Sequence, residues 1–314
     1  MNLLRYTRVI AGSLLLTALL LGLIVVLASP TDAQFWPVRP LGAVTPPVAS
    51  GCSQATTFLA RTSGLNSTYQ SAYTNLICGL VTDGVITGNL STTGCGAPFD
   101  ALYVFASEDG TNALLNLCSS NYNATAVASP TFTSASGYAG VATGSGIDSG
   151  FNPSTASSPN YIQNSAHIAF WSLTDQETVN SQGVFLGSSV SAQVFPRYTD
   201  GNVYCDVNDT QATGDRVIES TPDSLGLYVC DRTSSSTLSI YKGTTLLGTA
   251  SASTSSVVPD VDIYFAATNN VGVIDADPRI IAMASIGADI TAAIPSIHTR
   301  FCAYLTAIGS PGAC

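Results

Sequence analysis

The sequence predicts a mainly β protein: an antiparallel two-sheet sandwich with one helix ahead of it and one behind. Three observations predict it. Charged residues make up only 10% of the 314. Solubility therefore rests on Ser, Thr, Asn and Gly, a composition of short strands and polar turns rather than of a helical bundle. From Ala101 onward, apolar residues recur in short runs, several of them with period two, separated by Gly, Asp, Asn and Ser. Only two stretches, one on each side of that region, carry a helical period.

The chain opens on Arg5 and Arg8, an uncharged run from Val9 to Ala28, and Ser29-Pro30-Thr31-Asp32-Ala33. A basic start, an apolar middle and a small residue at the end are the layout of a secretory signal, with cleavage after Ala33. At about 1.5 Å per residue the apolar run would also span a bilayer, so an uncleaved signal anchor is the alternative. Either leaves the arginines in the cytoplasm and the body outside, in a secreted, periplasmic or extracellular location. Residues 34–50 carry Pro37, Pro40, Pro46 and Pro47 without periodicity and read as a linker. Residues 51–314 are left as the folded domain.

From Asn66 the period is helical. Tyr69, Tyr73, Leu76, Ile77 and Leu80 form one apolar stripe, Asn66 or Ser67 caps it, and Asp83-Gly84 ends it. Strands are expected at 101–106, 166–173, 183–186, 190–198, 203–207, 217–219 and 225–230. A hairpin follows, 237–241 turning at Lys242-Gly243 into 245–248, and then strands at 261–268 and 280–286. From Gly150 to Leu173 there is no charged residue, as expected of a loop leading into a strand whose apolar residues meet a core. Within that strand Ile168 and Phe170 share one face, and His167 and Trp171 the other. The last helix has Thr291 as cap, Pro295 in its first turn, and Ile294, Ile297, Phe301, Leu305 and Ile308 as its buried stripe, with Gly309 as its stop.

Eight cysteines, at 52, 78, 95, 118, 205, 230, 302 and 314, all lie beyond the signal and read as up to four disulfides. No C-x-x-C occurs, which argues against zinc and dithiol redox chemistry. Cys205 and Cys230 each sit in a strand-like run, and neighbouring antiparallel strands would bring them together. The pairing of Cys52, Cys78, Cys95, Cys118, Cys302 and Cys314 stays open. Without residues 1–33 the chain has eight basic and nineteen acidic residues, a net charge of −11, and Lys242 is its one lysine. Such a chain offers no basic stripe for a phosphate backbone, so nucleic acid is not an expected partner.

Several short motifs recur in a recognisable order. Leu80-Val81-Thr82-Asp83-Gly84 and Asp100-Ala101-Leu102-Tyr103 come first, and then Ile147-Asp148-Ser149-Gly150-Phe151-Asn152-Pro153. Gln163-Asn164-Ser165-Ala166-His167 leads to Trp171-Ser172, followed by Tyr198-Thr199-Asp200-Gly201-Asn202, Tyr241-Lys242-Gly243 and Ser285-Ile286-Gly287-Ala288. This order, over residues 56–309, resembles the concanavalin A-like (laminin G-type) lectin/glucanase domain. It is most similar to the uncharacterised versions in bacteriophage, prophage and alphaproteobacterial proteins. The resemblance implies a jelly-roll sandwich that binds carbohydrate or adheres to a cell surface. The export signal and the cysteines depart from the phage-type members and imply a fold moved outside the cell.

Glucanases of that superfamily use two nearby carboxylates as nucleophile and acid. Here Glu108, Glu177 and Glu219 are far apart in sequence, and the close pairs Asp206/Asp209, Asp260/Asp262 and Asp275/Asp277 read as turn residues bonding their own backbone. No G-x-S-x-G elbow is present, His298 falls beside the stripe of the last helix, and His167 reads as a packed imidazole. The expectation is a non-catalytic protein. His167, Trp171, Tyr198, Asp200, Asn202 and Tyr204 are the candidate ligand-binding residues. Asp200, Asp206, Asn208 and Asp209 offer hard oxygens for a calcium ion, which would need further ligands from other loops. Asn66, Asn89, Asn123 and Asn208 stand in N-x-S/T patterns that a chain so rich in these residues produces by chance. The leading functional expectation is a lectin-like module for a glycan or cell-surface component. The alternatives are a phage-derived structural or virion-associated assembly protein without a glycan ligand and, less well supported, a glycoside hydrolase.

Overall fold

A computed structural model describes residues 51–187, 189–212, 214–312 and 314. The expected signal and linker lie outside the described residues. Helices Ser53–Leu59 (α1) and Ser67–Thr82 (α2) come first. Asn66 caps α2 as expected, its Oδ1 accepting the N–H groups of Thr68 and Tyr69 at 2.9 and 3.2 Å. Tyr69, Tyr73, Leu76, Ile77 and Leu80 are its buried stripe.

Strand Phe99–Tyr103 (β1) and a one-turn helix Gly110–Ala113 (α3) precede four three-residue strands: Thr125–Val127 (β2), Thr131–Thr133 (β3), Gly137–Ala139 (β4) and Gly146–Asp148 (β5). Longer strands follow at Ala166–Ser172 (β6), Gln182–Phe185 (β7), Ser191–Phe195 (β8), Asn202–Asp209 (β9), Val217–Ser220 (β10) and Gly226–Arg232 (β11). Then come Leu238–Lys242 (β12), Thr245–Ala250 (β13), Tyr264–Phe265 (β14), Ala267–Asn270 (β15), Val273–Ala276 (β16) and Ile281–Gly287 (β17). Helix Ile294–Ala307 (α4) closes the described chain, entered through a 3-10 turn at Thr291–Ala293. Thr291 makes no side-chain cap there, contrary to expectation, because its hydroxyl bonds Asp231 instead.

The strands form two sheets. The first runs β13-β12-β11-β6-β17-β4-β3, with β1 also on β17. The second runs β10-β9-β8-β7-β14-β5-β2, and the β15–β16 hairpin joins it through a parallel pairing of β15 with β7. The other pairings are antiparallel. The fold is therefore mainly β, a two-sheet sandwich with few helices.

Two cores lie on the two faces of the first sheet. Between the sheets pack Ile168, Phe170, Val184, Val194, Val207 and Phe265. On the opposite face Trp171, Val229 and Met283 meet Leu76 of α2 and Ile297 and Phe301 of α4. A strand covered on both sides must be apolar throughout, and β6 and β17 are buried at every position.

Cys205 pairs with Cys230 as expected, but for a different reason. β9 and β11 are not neighbours in one sheet, and the bond crosses the sandwich core. Cys52–Cys78, Cys95–Cys118 and Cys302–Cys314 complete the set. Four disulfides belong to an oxidising compartment. No described helix is long and apolar enough to cross a membrane. The turn expected at Asp206–Asp209 is a strand instead: β9 continues to Asp209 with a bulge, where Asn208 (φ +54°) interrupts the register against β8.

Candidate functional site

Val184, Val194, Val203, Cys205 and Val207 point into the core. Strand alternation therefore sends Phe185, Gln193, Phe195, Tyr204 and Asp206 to the outer face of the second sheet. Gln193 lies opposite Asp206, and Phe195 opposite Tyr204. Around this face a cleft of about 200 Å³ is lined by Phe185, Gln193, Phe195, Arg216, Asn270 and Asp275. Ser181 and Thr268 form part of the same lining and bond each other, and the Ser181 hydroxyl donates to Gln193 Oε1 at 3.1 Å. Asn270 Nδ2 donates to Asp275 Oδ2 at 3.0 Å. Arg216 Nη2 donates to Asp206 Oδ2 at 2.6 Å, and the guanidinium lies over the Tyr204 ring, 4.6 Å from its centroid.

The cleft is held by a buried arginine. Arg279 donates to the carbonyls of Gln176, Asn180 and Arg197 and to Asp277, which also accepts from Gln182 Nε2. This fixes the Val179–Ser181 wall to the sheet. Two rim residues other than glycine hold left-handed backbones, Gln211 at φ +59° and Val271 at φ +51°. A β-branched residue in that region is strained, and such strain concentrates at functional sites. Beneath the floor, burial pushes the Asp206 carboxyl up, the neighbouring Asp209 adds to this, and Arg216 opposes it. Asp206 Oδ1 has no hydrogen-bond partner among the described residues.

Four of the six expected ligand residues meet at the β8–β9 turn. Tyr204 donates its hydroxyl to Asp200 Oδ2 at 2.5 Å, and the Asn202 N–H donates to Asp200 Oδ1 at 3.0 Å. That Tyr204 bond holds the Asp200 carboxyl below its ordinary range. The Tyr198 and Tyr204 rings lie 5.5 Å apart, and Phe195 stands 5.5 and 6.0 Å from them.

The other two expectations are corrected. His167 and Trp171 are 0% and 1% exposed: α2 and α4 cover Trp171, and Phe99, Ser285 and Ala288 enclose His167. His167 Nδ1 donates to the Ala288 carbonyl at 2.5 Å and Nε2 accepts from Ser285 Oγ at 3.0 Å. Burial lowers its pKa to about 4. Trp171 stacks on His298 at 5.2 Å. Neither ring can meet a ligand from solvent.

The oxygens expected for calcium are split and already committed. Asp206 pairs with Arg216, and Asp209 lies 3.6 Å from the buried Arg232. Asn208 accepts from Tyr161 and donates to the carbonyls of Ile162 and Gln163. Asp200 stands in the turn beyond the other end of β9, and Asn202–Asp206 alone spans about 13 Å at the rise of a strand. Among the described residues, no group of three or more His, Cys, Asp or Glu side chains is placed to hold a metal ion. Sequence reasoning missed Phe185, Gln193, Phe195, Arg216, Asn270 and Asp275. The alternation of Phe185, Gln193 and Phe195 within β7 and β8 was visible, but which face stays open depends on the opposite sheet.

No protein-family model matches the chain, and no curated protein matches it. Among solved structures it is similar to the botulinum neurotoxin serotype D binding domain, at 15% identity and TM-score 0.47, over 65% of this chain and 52% of that one. It is also similar to domain 4 of AbnA, a GH43 extracellular arabinanase from Geobacillus stearothermophilus, solved in complex with arabinotriose. That match has 11% identity and TM-score 0.43, over 64% and 98% of the two chains. The CBM40 of the Ruminococcus gnavus IT-sialidase matches at 8% identity and TM-score 0.34, over 56% and 97%. The chain spans about half the length of the toxin binding domains it matches.

Proposed function

We propose that the protein is an exported, non-catalytic lectin-like β-sandwich that binds a glycan in the cleft on the outer face of the second sheet. The observation that carries this reading is the pairing of two phenyl rings, Phe185 and Phe195, with amide, hydroxyl and guanidinium groups on one rigid face. Aromatic faces take the apolar side of a sugar ring, and a few fixed polar groups orient its hydroxyls. The strained rim at Gln211 and Val271 and the Arg279 clamp support it, since a pre-organised cleft loses less on binding. The concanavalin A-like jelly roll and its kinship with phage-type domains are the finer assignment we make, on the order of the sequence motifs.

The test is binding of the folded protein and of Phe195→Ala to a panel of neutral and acidic glycans and cell-wall polysaccharides, with calcium and with a chelator. The expected result is saturable binding, indifferent to the chelator and weakened about five- to tenfold in the variant, as for loss of a stacking contact of about 1–1.5 kcal/mol. Binding unchanged in Phe195→Ala would move the site elsewhere. A blank across the panel would remove the glycan reading in favour of assembly on a protein partner.

A further inference from the structure

We propose that the glycan held by the cleft on the second sheet carries a free amine, and that Asp275 selects it, an assignment that rests on the glycan reading of that cleft. Asp275 lines the cleft from β16. It ends a row of facing residues that crosses the sheet. Asp206 on β9 lies opposite Gln193, Gln193 opposite Gly183, Gly183 opposite Thr268, and Thr268 opposite Asp275. Gly183 bears no side chain, so the row dips at its middle.

The two ends of the row differ in charge. At one end Arg216, the basic side chain of the lining, donates to Asp206 at 2.6 Å and lies over the Tyr204 ring. Its charge is met by a buried carboxylate, which an incoming anion would also face. At the other end Asp275 has no basic nitrogen within 4.0 Å among the described residues. β8, β7 and β15 stand between the strand that carries Asp206 and the strand that carries Asp275.

Asp275 also has little to do in the fold. Asn270 Nδ2 donates to its Oδ2 at 3.0 Å, while its Oδ1 accepts from no described group and is not sealed from solvent. A carboxylate only accepts, so this bond fixes the Asn270 amide with Nδ2 toward Asp275. Asn270 Oδ1 is then left without a donor among the described residues, and it is not sealed either. The open atoms at this end are therefore acceptors. The hairpin that carries them is held in place. The Val271 N–H donates to the Phe185 carbonyl at 3.0 Å, the Gly272 N–H to Asn269 Oδ1 at 2.9 Å, and Asn180 Nδ2 to the Ala276 carbonyl at 2.7 Å.

Acceptors without a countercharge match a donor that is itself charged. A protonated amine has only donors and a positive charge, whereas a hydroxyl both donates and accepts. Phe185 lies opposite Asn270, and the face of a phenyl ring attracts a cation. An amino sugar, with an ammonium group in place of one hydroxyl, meets all of these conditions.

The test is calorimetric titration of the full chain with cellotriose and with the β-1,4-linked trimers of glucosamine and N-acetylglucosamine. These place a hydroxyl, an ammonium and an acetamide on one frame, in slightly acidic buffer that keeps the amines protonated. The glucosamine trimer should bind about tenfold tighter than the other two, as for a hydrogen bond to a charged group. Asp275→Asn should abolish that preference and leave binding of the uncharged trimers unchanged. It should keep its melting temperature, because Asn270 can still donate to the new amide oxygen. Should it fail to fold, Asp275→Ser, which also removes the charge and keeps an acceptor, carries the same expectation. Asp260→Asn removes an exposed carboxylate outside the lining, controls for the acidity of the whole chain, and should leave the preference intact. Equal binding of the three trimers, all weakened in Phe195→Ala, would overturn the amine assignment and leave the glycan reading standing. A preference that survives Asp275→Asn, or that Asp260→Asn reduces as much, would overturn it in favour of general attraction to an acidic chain. Binding of other glycans but of none of these trimers would overturn it alone, and binding of no glycan at all would remove both readings.

Discussion

Asp231 shows how a single buried carboxyl sets the pH response of the protein. It lies on β11 opposite His167, and its Oδ2 accepts from the Ile290 N–H at 3.3 Å and from the Thr291 hydroxyl at 2.7 Å. Burial, with a hydrogen bond to Asp289 and the charge of Asp289, raises its pKa to about 8. Burial works against Asp289 as well, but the bond from Asp231 holds it below its ordinary range. The folded protein thus keeps a proton on Asp231 that the unfolded chain releases above 3.8. Stability falls as pH rises from about 4 to about 8, and this contribution is flat beyond. His167 has the opposite slope between about 4 and 6.5, because its lowered pKa disfavours the proton in the folded state. The alkaline decline is therefore clearest between pH 6.5 and 8. Asp231→Asn keeps a hydrogen-bond donor and has nothing to titrate, so it should raise the melting temperature at pH 8 and flatten that decline. Asp206, also raised by burial, leaves a residual slope. A decline of equal steepness in the variant would remove Asp231 from this role.

At the scale of elements, the β7–β8 pairing depends on Gly183. Its backbone has φ +115°, and an added Cβ would lie 2.1 Å from the Ala192 carbonyl oxygen. Gly183→Ala should cost about 2–3 kcal/mol by denaturant unfolding, from forced overpacking and an unfavourable φ together. Gly144 also has positive φ, +92°, but opens on free space, and Gly144→Ala should cost only about 1 kcal/mol. Equal losses would mean that the contact with β8 is not what limits position 183. Neither glycine stood out in the sequence, whereas α2, α4, β6 and the β12–β13 hairpin did. Long periodic stripes with caps at Asn66 and a stop at Gly309 are legible because local chemistry alone specifies them. The one-turn α3 and the three-residue strands β2 to β5 hold too few residues to establish any period. The site was harder still. Alternation separated His167 and Trp171 from Ile168 and Phe170, but no local pattern tells that segments distant in sequence cover the first pair. The same blindness hid the outer face of β7 and β8, where Gln193 and Phe195 read like any polar and apolar strand positions.

At the scale of the whole described chain, one sheet serves two cores, and that arrangement constrains how it unfolds. The helical layer is tied to the sheet by packing and by a few polar contacts. Tyr304 donates to the Ala106 carbonyl at 2.9 Å, Tyr73 to the Val104 carbonyl at 3.4 Å, and the Arg300–Asp83 ion pair links α4 to α2. The Cys205–Cys230 bond fastens the two sheets, and Cys52–Cys78 joins α1 to α2 within the helical layer. Detaching α2 and α4 would uncover Ala169, Trp171, Val229 and Met283 on the first sheet, all of them buried. At about 25 cal/mol per Å² of apolar surface, such a state is too costly to accumulate. The two cores should therefore melt together. Trp171 reports on the helical side and, with Trp36→Phe, becomes the sole tryptophan. Its fluorescence and the far-ultraviolet circular dichroism of the strands should follow one denaturant transition with a common midpoint. A tryptophan transition at lower denaturant than the strand signal would make the helices a separately releasable layer. The inner face of the first sheet would then stay folded without them, and the burial of Trp171 would be conditional on that layer rather than built into the sandwich.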